Sequence, residues 1–107
     1  MAKYLLKVSY SAEGIKGVMK EGGTSRAATI EKILASVGGS LESFYFAFGT
    51  DDVYVIADVP DHATAMAVAA AVGSSGAVSS YETVVLVEPS EVDAAMNISV
   101  GYRPPGS

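Results

Sequence analysis

The fold is read most directly from LESFYFAFGTDDVYVIAD, residues 41–58. Apolar side chains alternate in both halves of this segment, which is the period-two pattern of β-strands. Strands are therefore predicted over residues 41–48 and 52–59, joined by a turn at residues 49–51. In the first strand one face carries Phe44, Phe46 and Phe48, and the other carries Leu41, Tyr45 and Ala47. The sequence predicts a hairpin that is apolar on both faces.

The segments around the hairpin supply the rest of a small α+β domain. Alternation over residues 3–10 predicts a first strand, and glycines limit a first helix to residues 11–23. Thr24 or Ser25 is expected to cap a second helix that ends at Gly38-Gly39. The remaining predicted elements are a helix over 63–72 that follows Pro60-Asp61, a strand over 77–87, and a helix over 91–97 capped by Ser90.

This order of elements is the split βαβ pattern of ferredoxin-like domains, with one helix appended at the C-terminus. It predicts an α+β fold with a four-stranded antiparallel sheet. A chain of 107 residues has the length of one domain with one core. Residues 1–107 are therefore treated as a single domain in which residues 101–107 form an irregular tail.

Composition excludes several classes of function. The net charge is -5 and no cluster of basic residues is large enough for a nucleic-acid interface. Cysteine is absent, which excludes disulfides and thiolate chemistry and is compatible with a reducing compartment. No membrane span and no signal peptide are predicted, so a cytoplasmic location is expected. No cofactor is predicted.

The two apolar faces of the hairpin favour self-association. In a ferredoxin-like domain the helices cover one face of the sheet and leave the other open, and a large exposed apolar patch usually marks an interface. We expect a homodimer, or a multiple of it, that pairs sheet to sheet. The alternative is that the appended C-terminal helix folds over the open face.

Five segments spread along the chain share a family pattern: KGVMKEGGTSR (16–26), Gly38-Gly39, FYFAFG (44–49), DVYVI (52–56) and YRPPG (102–106). With these segments the chain resembles the GYD domain family over nearly its whole length, and the resemblance implies the dimeric α/β-barrel fold of small bacterial proteins. It implies little about function. The family's Gly-Tyr-Asp signature is altered here, because aligning Asp52 with the family's Asp leaves Asp51 in place of the Tyr, so the turn position is interpreted as structural.

Positive charge gathers locally around Gly22-Gly23, where Lys16, Lys20 and Arg26 flank a predicted helix start. Backbone N-H groups at such a position, together with cations, can hold a phosphate or a carboxylate. The segment has neither Walker A nor Rossmann spacing. The alternative is a glycine-interrupted helix pair with solvated charges.

Carboxylates gather at the ends of the hairpin, where Asp51, Asp52 and Asp58 are followed by Asp61 and His62. These oxygens suit a hard cation, but Asp is also a preferred turn and cap residue, and that interpretation is favoured. No metal is predicted. His62, the chain's single histidine, is a candidate general base, with a plain surface residue as the alternative.

Tyrosines are predicted on the strands at Tyr10, Tyr45, Tyr54 and Tyr81. Those that face the open side of the sheet would line the space between two subunits and could bind a small hydrophobic ligand. The alternative is interface packing without a ligand.

These features predict a homo-oligomeric module that binds a small molecule or stabilises an assembly. The rival is an enzyme similar to the cofactor-free oxygenases and isomerases of the dimeric α/β-barrel superfamily, with Tyr45 or His62 as acid or base in a cavity between sheet and helices. A third hypothesis is an anion-binding regulator that uses Lys16, Lys20 and Arg26. No catalytic cluster can be assigned from the sequence, and whether the protein is an enzyme stays open.

Overall fold

A computed structural model describes residues 2–107 of the chain. No helix in this part of the chain is long and apolar enough to span a membrane. The elements are β1 (Ala2–Tyr10), α1 (Ala12–Glu21), α2 (Gly23–Ser36), β2 (Ser40–Phe46), β3 (Val53–Val59), α3 (His62–Gly73), β4 (Val78–Leu86) and α4 (Pro89–Met96).

The four strands form one sheet in the order β2-β3-β1-β4, and every neighbouring pair is antiparallel. Helix α2 packs near β2, and α3 packs near β4, so these two helices form a layer on one face of the sheet. The predicted ferredoxin-like α+β fold is confirmed.

The core lies between the sheet and this helix layer. Period-two alternation aims one side of β1 and β3 at the helices, and Tyr4 is 2% exposed there. Leu34 of α2, 1% exposed, covers the sheet from above, and Ala65 and Val68 of α3 add to it. The other buried strand residues are Leu6, Val8, Val53, Val55, Ala57 and Val59.

The hairpin differs from its prediction at both ends. Strand β2 stops at Phe46, so Phe48 lies in the turn and is fully exposed. An irregularity in register between Leu41 and Ser43 shifts the alternation by one residue. Leu41 therefore packs against the core with Phe44, and its predicted place on the opposite face is wrong.

Helix caps also differ from the prediction in two places. Helix α2 begins at Gly23 after Gly22, whose φ of 88° favours glycine, and neither Thr24 nor Ser25 caps it. Helix α4 begins at Pro89 after Glu88, rather than at a Ser90 cap.

The open face of the sheet is less apolar than predicted. Its central row is Ser43, Ile56, Leu5 and Val84, read from β2 to β4. The row on one side contains Lys3, whose Nζ lies 2.6 Å from Glu42 Oε1 and 3.1 Å from Asp58 Oδ2. The row on the other side contains Lys7, whose Nζ lies 3.1 Å from Glu82 Oε1 and 3.8 Å from Asp51 Oδ2. An apolar stripe thus runs between two rows of ion pairs.

Residues 87–107, which we call the arm, extend from the end of β4 away from the other elements. Every residue of the arm is exposed, and within the described residues α4 packs on neither the sheet nor the other helices. The Cα radius of gyration is 17.0 Å, whereas a compact chain of this length has about 13 Å. The appended helix therefore does not cover the open face, and that alternative is wrong.

Candidate functional site

A small cavity of about 40 Å³ lies between the helix-facing side of the sheet and helices α2 and α3. Its walls are almost entirely apolar. Tyr10, Arg26 and Tyr81 supply the polar atoms near it. The apolar lining is Leu6, Val8, Ile30, Ile33, Leu34, Phe44, Val53, Val55, Val68, Val72 and Val78.

A groove of about 370 Å³ lies between α2 and α3. The two helices pack against the sheet rather than closely against each other, which leaves this space open. The groove and the cavity share four lining residues, so the groove lies directly over the cavity: Arg26, Ile33, Val68 and Val72. Together they are large enough for a small molecule, since ligand pockets usually have about 300–1,000 Å³.

The Tyr81 hydroxyl is the unusual group of this cavity. Register places Tyr81 opposite Val8 and therefore on the helix-facing side of β4. Its hydroxyl oxygen is buried and makes no hydrogen bond of acceptable geometry among residues 2–107, although the Thr83 side chain lies near enough to oppose in part the effect of burial on its pKa. Burial raises the pKa of the phenol, so the neutral O-H form is the one present. A buried hydroxyl without a partner costs about 1–3 kcal/mol, which makes it a place for a ligand atom.

Arg26 stands where the cavity, the groove and a further cleft beside α1 meet. Its guanidinium has no carboxylate within ion-pair distance in the described part of the chain, although Glu13 and Glu21 line the same α1 cleft. Lys16 and Lys20 lie exposed on α1 and do not line that cleft. The structure thus separates Arg26 from the two lysines with which it was grouped.

A second site lies at the other end of the sheet. Nδ1 of His62, at the start of α3, shares a hydrogen bond with the hydroxyl of buried Tyr4. The two rings meet edge to face with centroids 5.7 Å apart. His62 also lines an open cleft of about 980 Å³ together with Lys3, Asp58 and four arm residues, among them Glu88 and Glu91.

The carboxylates of the hairpin have structural partners. Asp52 Oδ2 accepts a hydrogen bond from the Tyr10 backbone N-H at 2.9 Å, and Asp61 Oδ1 accepts one from the Thr64 backbone N-H at 2.8 Å. Asp51 and Asp58 face Lys7 and Lys3. Among residues 2–107, no three His, Asp or Glu side chains converge as metal ligands. Asp51, the turn position that departs from the family signature, also accepts a hydrogen bond from the Ser9 hydroxyl at 3.2 Å, so its contacts are structural.

The tyrosines divide between the two faces of the sheet. Tyr45 and Tyr54 are paired on the open face, and Tyr45 is 71% exposed. Tyr10 and Tyr81 lie on the helix-facing side and line the cavity. Tyr45 therefore does not reach the cavity between sheet and helices in which it was considered as an acid or base, and His62 lines the separate cleft.

Two features of the sites cannot be predicted from the sequence. Tyr4 and His62 are 58 residues apart, so their contact follows from the fold alone. The face of Tyr81 depends on the register of β4, because β4 mixes polar and apolar residues on both sides. The alternation of Tyr4, Leu6 and Val8 was the one available signal, since it predicts that Tyr4 is buried.

A family model described as the GYD domain matches residues 4–96, which is 93 of the 107 residues. The chain therefore belongs to the GYD domain family, and the resemblance seen in its sequence is confirmed. The match ends at the last residue of α4, so residues 97–107 lie outside it, and the family model does not support the YRPPG segment (102–106) as part of the resemblance. Comparison with curated proteins finds no match.

Proposed function

We propose that this member of the GYD domain family is a self-assembling module that binds a small, largely apolar molecule with one acidic or hydrogen-bonding group. The observation that carries the proposal is the Tyr81 hydroxyl, which is buried without a partner in an apolar cavity. The ligand's body would occupy the groove between α2 and α3, and its one polar group would be shared by Tyr81 and Arg26, which both line the cavity.

Arg26 defines the class of ligand. Its position at the rim of the groove, without an ion-pair partner in residues 2–107, suits a carboxylate. A small apolar monocarboxylic acid therefore fits best, because the hydrocarbon matches the walls and the carboxylate matches the guanidinium.

Self-assembly is supported by the open face. Ile56, Leu5 and Val84 form an apolar stripe that a second copy can cover, sheet to sheet. The lysines beside the stripe are already neutralised by carboxylates, and hydrogen bonds to Glu42 and Glu82 raise the pKa of Lys3 and Lys7, respectively. Burial of paired charges costs less than burial of isolated ones.

The test is the substitution Tyr81→Phe, for which opposite changes in stability and binding are expected. Without ligand, the variant should be more stable by about 1 kcal/mol, because the unpaired hydroxyl is gone. With a panel of apolar monocarboxylic acids, such as octanoate and benzoate, the rise in melting temperature seen for the unsubstituted protein should shrink. Thermal unfolding with and without each acid measures both effects.

Tyr45→Phe is the matched control, since it removes an exposed hydroxyl from the opposite face. It should change neither stability nor binding. A Tyr81→Phe protein that is less stable than the unsubstituted chain, or that binds every acid equally well, contradicts the proposed site.

Acid-base catalysis at His62 is the second candidate, and the hydrogen bond between His62 and Tyr4 beside a polar cleft favours it. If His62 is the acid or base, chemical conversion of the bound molecule depends on His62 and not on Tyr81. Conversion of a bound molecule should be lost in His62→Gln and retained in Tyr81→Phe, as followed by mass spectrometry of the molecule released from the protein.

A further inference from the structure

The end of the arm has the pattern of a β-strand without being paired as one. Ile98, Val100 and Tyr102 alternate with polar or small residues, which is the period-two pattern of a strand with one apolar face. Their exposed fractions are 67%, 76% and 73%. Among residues 2–107 nothing covers this apolar row.

A matching edge is present on β2. This strand lies at one side of the sheet, and its outer backbone pairs with no strand in the described chain. Two exposed aromatic residues lie on it, Tyr45 on the open face and Phe46 on the helix-facing side, and a third, Phe48, lies just past its end. An open edge with apolar side chains is a template for an added strand. The other edge, β4, is mostly polar, because four of its five exposed residues are Ser79, Ser80, Glu82 and Thr83, and the fifth is Val85.

The arm of the same chain does not lie on this edge. The arm starts at the end of β4, and two strands separate β4 from β2 in the sheet. The molecule is 57 Å long and 33 Å wide because the arm points away from the sheet. A strand contributed to β2 therefore comes from another molecule.

Sheet-to-sheet assembly brings the two elements together, and in this respect the inference rests on the proposed self-assembly. When two such sheets stack face to face about a two-fold axis parallel to the strands, β4 of one copy lies over β2 of the other. Stacked sheets are about 10 Å apart, so an arm that follows β4 starts close to the partner's β2 edge.

We propose that residues 98–102 of one copy add as a strand to the β2 edge of a second copy, with the apolar row of the arm on the helix-facing side of the sheet, where Phe46 is exposed. The contact is reciprocal, so a two-fold dimer exchanges two arms. Main-chain hydrogen bonds to β2 supply the pairing, and the apolar row of the arm packs beside Phe46.

Cross-linking tests the proposal, since the chain has no cysteine of its own. Ser99→Cys in the arm and Glu42→Cys in β2 are made in separate chains, which are mixed and treated with a short bismaleimide. Both positions are exposed and neither belongs to the apolar row. We expect a covalent dimer in the mixture at a yield about tenfold above that of Ser99→Cys mixed with either Met66→Cys on α3 or Thr83→Cys on β4.

Hydrogen exchange gives a second readout in the full-length chain. Ile98→Asp combined with Val100→Asp disrupts the apolar row without touching the core. We expect exchange of the outward-facing β2 amides to quicken roughly tenfold, because edge amides without a partner strand are open to water. Unchanged exchange would overturn the proposal.

Light scattering on the same samples separates this inference from the proposed assembly. A dimer that gives the Ser99-to-Glu42 cross-link supports both. A dimer that cross-links equally to Met66→Cys, preferentially to Thr83→Cys, or not at all retains the assembly and overturns the arm contact. An 11 kDa monomer without a cross-link overturns both and leaves ligand binding at Tyr81 to be judged by its own test.

Discussion

The arm and the body of the molecule, residues 2–86, are similarly rich in apolar residues, but only the body buries them. Half of the whole chain is apolar, and so are eight of the sixteen residues 87–102. In the body apolar side chains form a continuous core, whereas in the arm every residue is exposed. The eight apolar arm residues are Val87, Val92, Ala94, Ala95, Met96, Ile98, Val100 and Tyr102.

The difference shows that apolar content does not itself produce burial. In the body, alternation on β1 and β3 places every second side chain against the same helix layer, so each contact supports the next. In the arm, Val92 and Met96 lie one turn apart on α4, but no second element stands opposite them within residues 2–107. The body is therefore expected to fold alone, and the arm is expected to be stabilised by another copy.

The largest effect is expected from two substitutions by alanine, one in each region, which test whether the body and the arm contribute differently to stability. Leu34→Ala should lower the free energy of unfolding by about 2–5 kcal/mol, because it leaves a void in the core. Met96→Ala should change it by less than about 0.5 kcal/mol in dilute protein, because Met96 is exposed. Urea unfolding at low protein concentration measures both. Equal losses would mean that the arm belongs to the same folding unit as the body.

How much of the fold is predictable from sequence follows the same division. Alternation in residues 3–10 and 52–59 predicted the two central strands correctly. In these strands the alternation of apolar residues alone shows which side is buried, whatever their register with the neighbouring strands. The irregularity near Leu41 was not predictable, since it depends on how β2 pairs with β3. The detachment of the arm was not predictable either, because a sequence pattern shows an apolar face but not whether its own chain covers it.

The candidate sites were predicted less well than the fold. Tyr10 and Arg26 were named for a ligand, and both line the cavity, but each was grouped with residues that lie elsewhere. Tyr81 was recognised as a strand residue, but the burial of its hydroxyl is visible only in the tertiary structure. Sites built from separate elements need the tertiary structure, because the side chains that converge are not neighbours in sequence.

A smaller effect sharpens the comparison through hydrogen bonds. Asp52→Ala should lower the free energy of unfolding by about 1–3 kcal/mol, because the Tyr10 backbone N-H loses its carboxylate acceptor. Asp93→Ala in α4 removes an exposed carboxylate from the arm and should leave stability unchanged. Chemical denaturation of the two variants measures the contrast. If Asp52→Ala is as stable as the unsubstituted protein, the hairpin turn is not anchored to β1 by this side chain.

The smallest expected effect is on the dependence of stability on pH. Hydrogen bonds from the Thr64 hydroxyl and backbone N-H lower the pKa of Asp61, the cap of α3, below its unfolded value near 3.9. Its stabilisation is therefore complete above the unfolded pKa and is lost as pH falls through the folded pKa. Asp61→Asn should flatten the loss of stability as the pH falls below about 5, measured by urea unfolding.

Asp93→Asn is the matched control for this titration, because it removes the same charge from a part of the chain that does not pack on the body. Its stability curve should follow that of the unsubstituted protein across the same range of pH. If both substitutions flatten the curve of stability against pH equally, the effect reflects net charge and not the helix cap. Only Asp61 accepts cap hydrogen bonds, and Asp93 does not. If Asp61→Asn alone flattens it, the acid sensitivity lies at the start of α3, in the region that carries the cooperative core.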